Sequence, residues 1–187
     1  GTSLVADLLI YGFQVEQAIY PTSYIPTYSV SATRAEDSCI KTNASGEIGQ
    51  TEGTAFIELN VTSLASAGVY AGFRIFDGTD ANKLEFIYYP DGRLQAVSFV
   101  GGALVANINL TSYGLTTGVH KFAFAYKLND YVLYVDGVNV GVDTSASVPA
   151  TSQFDLFRTN GGLLNYNNAI LYKERLTNAE LATLTTI

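Results

Sequence analysis

Carboxylates that could act as a pair are the first candidates for chemistry in this chain. Retaining glycoside hydrolases hold two carboxyl groups about 5–5.5 Å apart, and two residues of one strand share a face only at an even spacing. Glu47 and Glu52 are five residues apart, with Gly49 between them, while Glu58 and Glu85 each stand alone in a strand-like run. The sequence therefore predicts no catalytic carboxylate pair.

The single histidine and the single cysteine give no second route to catalysis. Cys39 can form neither an intrachain disulfide nor a thiolate metal cluster, and we expect it to be a small buried hydrophobe. His120 begins a strand-like run, shows no recognisable nucleophile spacing, and is expected to be structural. We predict that the chain is not an enzyme, has no catalytic residue and uses no cofactor.

A short loop rich in hard oxygen ligands is the candidate for metal binding. Asp77, Asp80 and Asn82 offer oxygens of the kind that calcium accepts. The spacing lacks the glutamate and the fixed glycine of an EF-hand, and Asp, Gly and Asn are also ordinary turn residues. A hairpin turn is the preferred interpretation, calcium binding is the alternative, and no metal site is predicted.

Two groups of residues are candidates for binding a sugar. Aromatic rings stack against the C–H faces of sugars, and planar polar groups bond to their hydroxyls. The first group lies on the outward face of the runs 69–76 and 83–89, where a subunit interface is an equally good interpretation. The second is a predicted loop over 160–168. The candidates are Tyr70, Arg74, Phe76, Glu85 and Tyr89 on the strand face, and Asn165, Tyr166 and Asn167 in the loop.

Composition excludes several classes of partner. The 187 residues carry a net charge of −7, with only 14% charged residues and 48% hydrophobic ones. The ten basic residues are scattered, which argues against nucleic acid and against an anionic membrane surface. No apolar run approaches the ~18 residues of a transmembrane helix, so membrane insertion is not predicted.

Period-two alternation dominates the chain and predicts antiparallel β structure. In 54–61, Ile57, Leu59 and Val61 share one face, and in 119–126, Phe122 and Phe124 do the same. Turn signals separate the runs every 8–12 residues, and the number of strands that results is too large for one flat sheet. Two stacked sheets are therefore predicted. The predicted strands are 8–15, 54–61, 69–76, 83–89, 94–100, 103–110, 119–126, 131–135, 138–142, 154–158 and 169–173.

One short helix is predicted at the end of the chain. Thr177 and Glu180 have the spacing of a capping box, in which each side chain bonds to the other residue's backbone N–H. Leu181 and Leu184 follow on one face. We expect this helix to cover an open edge or an end of the sandwich.

A proline-containing connector divides the chain. Pro21 and Pro26 fix φ and remove ladder donors, so no strand runs through them. We predict a semi-rigid linker over 21–32. Residues 1–20 would be the terminal strand of a preceding β module or an N-terminal arm, and 33–187 would form the sandwich.

Two segments carry a family resemblance. Residues 118–142, with the run Leu-Tyr-Val-Asp-Gly at 133–137, resemble the central hairpin of laminin-G-like, concanavalin A-like lectin domains. Residues 171–184 (LYKERLTNAELATL) are similar to the last strand of those domains. The resemblance implies an all-β jelly roll: a two-sheet antiparallel sandwich with one short C-terminal helix.

The N-terminal segment resembles a junction of bacteriophage tail-fibre and other virion proteins. The matching motifs in 10–37 are Tyr-Gly-x-Gln-x-Glu, Thr-Ser-Tyr-Ile-Pro-Thr and Thr-Arg-Ala-x-Asp. They imply a non-catalytic module of a virion fibre, most simply a receptor-binding tail fibre. It would sit on the particle surface as a homotrimer with other virion proteins and recognise a host-surface glycan. The alternatives are a structural or head-fibre decoration module, and a carbohydrate-binding module of a secreted bacterial polysaccharide-degrading enzyme.

Overall fold

The structure is a computed structural model that describes most of the chain after residue 38. The described residues are 39–62, 71–89, 91–158 and 164–187, together with Val15, Tyr24, Pro26, Val30 and Ser31. The chain divides into two units, Gly1–Asp37 and Ser38–Ile187. The predicted arm over 1–20, its strand at 8–15 and the linker over 21–32 fall largely outside the described residues, so this domain division stays a prediction.

The described part of the second unit holds eleven strands and one helix. In chain order they are β1 (Cys39–Lys41), β2 (Glu52–Val61), β3 (Ala71–Phe76), β4 (Lys83–Tyr88), β5 (Leu94–Val100), β6 (Ala103–Leu110), β7 (Gly118–Lys127), β8 (Tyr131–Val135), β9 (Val138–Asp143), β10 (Gln153–Arg158), β11 (Leu164–Tyr172) and α1 (Asn178–Thr185).

The strands form the two antiparallel sheets that the sequence predicts. One sheet has six strands in the order β1-β10-β3-β4-β5-β6, and the other has five in the order β11-β2-β7-β8-β9. The short edge strand β1 was not predicted, because its three residues carry no alternation that could be recognised. Cys39 lies in β1 and is exposed, so the expected burial of its thiol is wrong.

Aromatic rings from both sheets fill the space between them. Phe73 and Phe86 of the six-stranded sheet stack at 5.8 Å between ring centroids. Phe86 then meets Phe122 of the other sheet at 4.9 Å, and Phe73 meets Phe124 at 6.5 Å. All four rings are buried, which confirms the inward faces predicted for these strands.

Helix α1 covers the outward face of the five-stranded sheet. Leu181 is fully buried, at 0% exposure, in a second apolar cluster with Phe56, Ala123 and Ala125. The expected position at an edge or an end is therefore wrong. The small alanines leave room for a helix to lie on the sheet, and its apolar residues bury Phe56. The predicted capping box is present, with Thr177 N–H donating to Glu180 Oε2 at 2.8 Å.

Strand β11 corrects part of the predicted binding loop over 160–168, of which 160–163 lie outside the described residues. The strand begins at Leu164, so Asn165, Tyr166 and Asn168 pair with β2 instead of forming a loop. The hydroxyl of Tyr166 accepts a hydrogen bond from Gly72 N–H at 2.9 Å and lies 2.7 Å from Gly72 O and 2.6 Å from Phe157 O. Because Gly72 and Phe157 belong to the other sheet, Tyr166 links the two sheets.

Removal of the Tyr166 hydroxyl tests this inter-sheet link. We expect Tyr166→Phe to lower the free energy of unfolding by about 1–3 kcal/mol, since it leaves backbone groups of Gly72 and Phe157 without that partner. The measurement is denaturant unfolding followed by fluorescence. Tyr172→Phe is the matched control, because that hydroxyl has no hydrogen bond among the described residues. Equal losses in the two variants would contradict the link.

Candidate functional site

One side of the six-stranded sheet presents a row of side chains that are polar except for the buried Val97. Asp155, Arg74, Glu85, Val97 and Asn107 oppose one another across β10, β3, β4, β5 and β6. The residues that alternate with them point into the core, so this row points away from it. We call this outward side of the sheet the outer polar face.

A group of ion-paired side chains occupies the β10, β3 and β4 part of the outer polar face. Arg74 contacts Asp155 at 3.0 Å and Asp80 at 3.5 Å. Lys83 contacts the same Asp80 at 3.1 Å and Glu85 at 2.9 Å. These five side chains are called the charged cluster below, and Asp80 is the anion that both cations share.

The charges of this cluster stabilise one another. The hydrogen bond and the positive charge of Lys83 lower the pKa of Asp80 below its ordinary value. Burial alone would lower the pKa of Lys83, but hydrogen bonds and charge from Glu85 and Asp80 outweigh it and raise that pKa. Both groups are therefore ionised at neutral pH, and the two cations already have anionic partners.

Phe76 lies beneath the charged cluster. The Arg74 guanidinium sits 4.1 Å from the centre of the Phe76 ring, and Phe76 is only 5% exposed. Such a contact is a cation–π interaction. Arg74 therefore covers the ring of Phe76, which the sequence suggested as a stacking surface.

Tyr89 extends the outer polar face past the end of β4. Its hydroxyl donates to Gln95 Oε1 at 3.2 Å. The guanidinium of Arg93 lies 4.3 Å from the centre of its ring and pairs with Asp91 at 2.9 Å. Of the five predicted strand-face residues, the structure thus brings Arg74, Phe76 and Glu85 together and places Tyr89 further along the same face. Tyr70 lies outside the described residues.

Three amide side chains on β5 and β6 form a patch that the sequence analysis missed. Gln95 and Asn109 are direct cross-strand partners, and Asn107 lies opposite Val97 on the same outward side. Asn107 and Asn109 are exposed, and within the described part of the chain their side-chain amides make no hydrogen bond. We call Gln95, Asn107 and Asn109 the amide patch. The available signal was the alternation of two asparagines with Ala106 and Ile108 in β6.

The second predicted group lies on the other sheet. Asn165 is exposed on β11, and Tyr166 points toward the core. Asn167 sits at a register shift of β11, and its amide donates to Glu58 Oε1 at 3.0 Å. The two predicted groups are therefore not parts of one site.

His120 is held by a structural network on the five-stranded sheet. It is 7% exposed, with Nδ1 at 2.6 Å from Asp136 Oδ2 and Nε2 at 2.9 Å from the carbonyl oxygen of Thr116. The other oxygen of Asp136 accepts from the Lys121 backbone N–H at 2.8 Å. Asp136 itself has φ of 50°, a left-handed turn conformation. The network thus ties the β8–β9 turn to β7.

The loop proposed as a possible calcium site is closed by its own side chains. Asp77 Oδ1 accepts from the backbone and the hydroxyl of Thr79 at 2.8 and 2.7 Å, and Oδ2 accepts from the Asn82 amide at 2.8 Å. Asn82 in turn accepts from Gly101 N–H at 2.9 Å, which joins this loop to the β5–β6 turn. Among the described residues no group of three or more His, Cys, Asp or Glu side chains could hold a metal ion.

A shallow groove of about 420 Å³ lies away from the outer polar face, lined mainly by Tyr172, Leu176 and Leu184. None of the described helical segments is long and apolar enough to cross a membrane.

Solved structures share this architecture. Sheep galectin-11, in a complex with glycerol, superposes with a TM-score of 0.54 at 12% identity, over 74% of this chain and 99% of that one. The carbohydrate-binding module CBM66 from Bacillus subtilis gives 0.51 at 12% identity, over 65% and 75%. The fold is a lectin-like, concanavalin A-like β-sandwich. This confirms the all-β, two-sheet prediction with its short C-terminal helix.

An enzyme shares the fold as well. Trypanosoma rangeli sialidase, in a complex with 2,3-difluorosialic acid, gives a TM-score of 0.58 at 17% identity. The match covers 79% of this chain but only 26% of the sialidase. At these identities the likeness shows the fold alone. No protein-family profile and no curated protein sequence matches the chain.

The Asp77 turn predicts a pH-dependent contribution to stability. The hydrogen bonds from Thr79, then from Asn82, lower the pKa of Asp77 below its ordinary value of 3.8. Because the folded-state pKa is the lower one, this stabilisation is present above the unfolded-state pKa and is lost as the pH falls through the folded-state pKa. We expect Thr79→Ala to raise the pKa of Asp77 in a carboxyl NMR titration. Thr144→Ala, an exposed threonine of another turn, should leave it unchanged. An unshifted pKa in Thr79→Ala would contradict this account.

Proposed function

We propose that residues 38–187 form a non-catalytic glycan-binding module that binds through the outer polar face. The observation that carries the proposal is the amide patch, whose two asparagines are exposed and make no hydrogen bond within the described part of the chain. Each amide offers two donors and a carbonyl acceptor. Sugar hydroxyls both donate and accept, so a patch of amides on a sheet is chemically suited to them.

The contrast between the two outward faces supports this choice of surface. On the five-stranded sheet, α1 covers Phe56, Ala123 and Ala125. On the six-stranded sheet, outward positions of the edge strand β6 hold exposed asparagines. Asparagine is depleted in strands because it fits a pleated, half-buried surface poorly. The two exposed asparagines of β6 leave their amide groups available to a ligand.

The positions of the acidic groups support a non-catalytic role. The carboxylates of Asp155 and Glu85 are paired with Arg74 and Lys83. Each of these carboxylates is therefore already in contact with a cation of the same face. His120 lies on the other sheet, bound to Asp136.

For the whole protein, the proposal extends to a bacteriophage virion fibre, with a receptor-binding tail fibre preferred. The junction motifs in 10–37 support it. The module would then lie on the particle surface, recognise a host-cell glycan, and assemble as a homotrimer with other virion proteins. The likeness to CBM66 favours a second candidate, a carbohydrate-binding module of a secreted bacterial enzyme that degrades polysaccharides.

A glycan array with matched asparagine variants tests the binding site. We expect the wild-type chain to bind at least one glycan. Asn109→Ala should weaken that binding by about tenfold, because it removes a bidentate partner of about 1.4 kcal/mol. Asn165→Ala is the control, since Asn165 is an exposed strand asparagine of the other sheet. A loss in Asn165→Ala alone would move the site to β11. Release of reducing sugar from any bound polysaccharide would contradict the non-catalytic role.

Light scattering after size exclusion tests the proposed assembly. We expect a species of three times the chain mass of 20.1 kDa, because fibre modules assemble as closed symmetric oligomers. A dilution series at constant buffer checks that the mass does not depend on concentration. A monomer at the highest concentration would contradict the trimer.

A further inference from the structure

The positive charges of the outer polar face are all matched by anions of the same face. Among its described side chains, Arg74 pairs with Asp155 and Asp80, and Lys83 pairs with Asp80 and Glu85. Arg93 pairs with Asp91. An anionic sugar would therefore have to displace a carboxylate that is already in contact with each cation.

The balance of the charged cluster is negative. Its two cations face three carboxylates, and the whole chain has a net charge of −7. Asp80, the shared anion, has a side chain that is 79% exposed, so its charge meets any ligand on this face. A ligand carboxylate or sulfate within a Debye length, about 8–10 Å, is repelled by this cluster.

The amide patch is neutral and bordered by a further anion. Asp143 Oδ2 accepts a hydrogen bond from the Asn107 backbone N–H at 3.0 Å. Burial alone would raise the pKa of Asp143, but hydrogen bonds from Asn107 and Ser145 outweigh it and lower that pKa. Asp143 is therefore ionised beside the patch, and the groups left for a ligand there are uncharged amides.

We infer that the outer polar face selects neutral, hydroxyl-bearing glycans and discriminates against sialylated, uronic and sulfated ones. This inference rests on the proposed function, and it adds the class of ligand. The charged cluster and Asp143 exclude anions electrostatically, while the amide patch binds hydroxyl groups. Charged groups next to a neutral binding surface affect which ligands bind more than they affect how tightly the preferred ligand binds.

Matched glycan pairs test the inference. The probes are galactose-, glucose- and mannose-terminated oligosaccharides, each beside a form of the same core that carries a terminal sialic acid, a uronic acid or a sulfate. We expect the neutral member of each bound pair to bind at least about tenfold more tightly. Since its contacts are uncharged, its affinity should change little between low and high salt.

Two variants distinguish an effect of the charged cluster on glycan preference from an effect of the net charge of the whole chain. Asp80→Asn removes the anion shared by Arg74 and Lys83. We expect it to lower the ratio of neutral-glycan affinity to anionic-glycan affinity several-fold. Glu174→Gln makes the same change in net charge at an exposed position outside the cluster, and it should leave the preference unchanged. Circular dichroism and thermal melting confirm that both variants are folded.

Three other outcomes would contradict the inference or the proposed function. Tighter binding of the anionic members, still lost in Asn109→Ala, would overturn the inference and leave the proposed function standing. An equal decrease of this affinity ratio in Asp80→Asn and Glu174→Gln would contradict the claim that the charged cluster discriminates against anionic glycans. Binding of no member of any pair by folded protein would reject the proposed function and this inference with it.

Discussion

The packing of aromatic rings between the two sheets is the constraint on which the rest of the structure depends. Phe73 and Phe86 meet Phe122 and Phe124 across the core, and truncation of such a ring to alanine costs about 3–5 kcal/mol. Because side chains alternate along a strand, the residues that face inward also fix those that face outward. A slip of one residue in β3 would expose Phe73 and bury Arg74. The outer polar face is thus held in place by the core beneath it.

The same constraint leaves each sheet with one outward surface, and the two surfaces differ. The five-stranded sheet buries Phe56 and two alanines under α1, so that side contributes to stability. On the other side, the Arg74–Asp155 and Lys83–Glu85 pairs have side chains that are only 13–27% exposed, and the desolvation of their charges offsets much of the attraction within each pair. The charged cluster is better understood as an arrangement that fixes Arg74 over Phe76 and sets the local potential. That sheet therefore presents charged side chains in fixed positions.

Local pattern predicted the strands well where alternation and turn residues agree. The bounds of β5, β6 and β8 match the predicted runs at both ends. Within the predicted loop over 160–168, the described residues 164–168 were mistaken for a loop because their asparagines are also turn residues. Its pairing with β2 is a contact between residues more than one hundred positions apart, and no local pattern reports such a contact. The amide patch was missed for another reason: the alternation of Asn107 and Asn109 was visible in the sequence, but only the register of β5 and β6 places Gln95 opposite Asn109.

The edge position of β6 limits how this strand can recognise a ligand. An edge strand offers unpaired backbone groups, which commonly invite another strand to pair with it. Here the Asn107 N–H is bonded to Asp143 at the end of β9, and Gly141 lets the side chain of Ile108 approach closely. A side chain at position 141 would collide with Ile108. The backbone of β6 is thus engaged by the other sheet at this point, and strand addition is disfavoured. Under the proposed function, recognition at β6 would therefore fall to its outward side chains, Asn107 and Asn109.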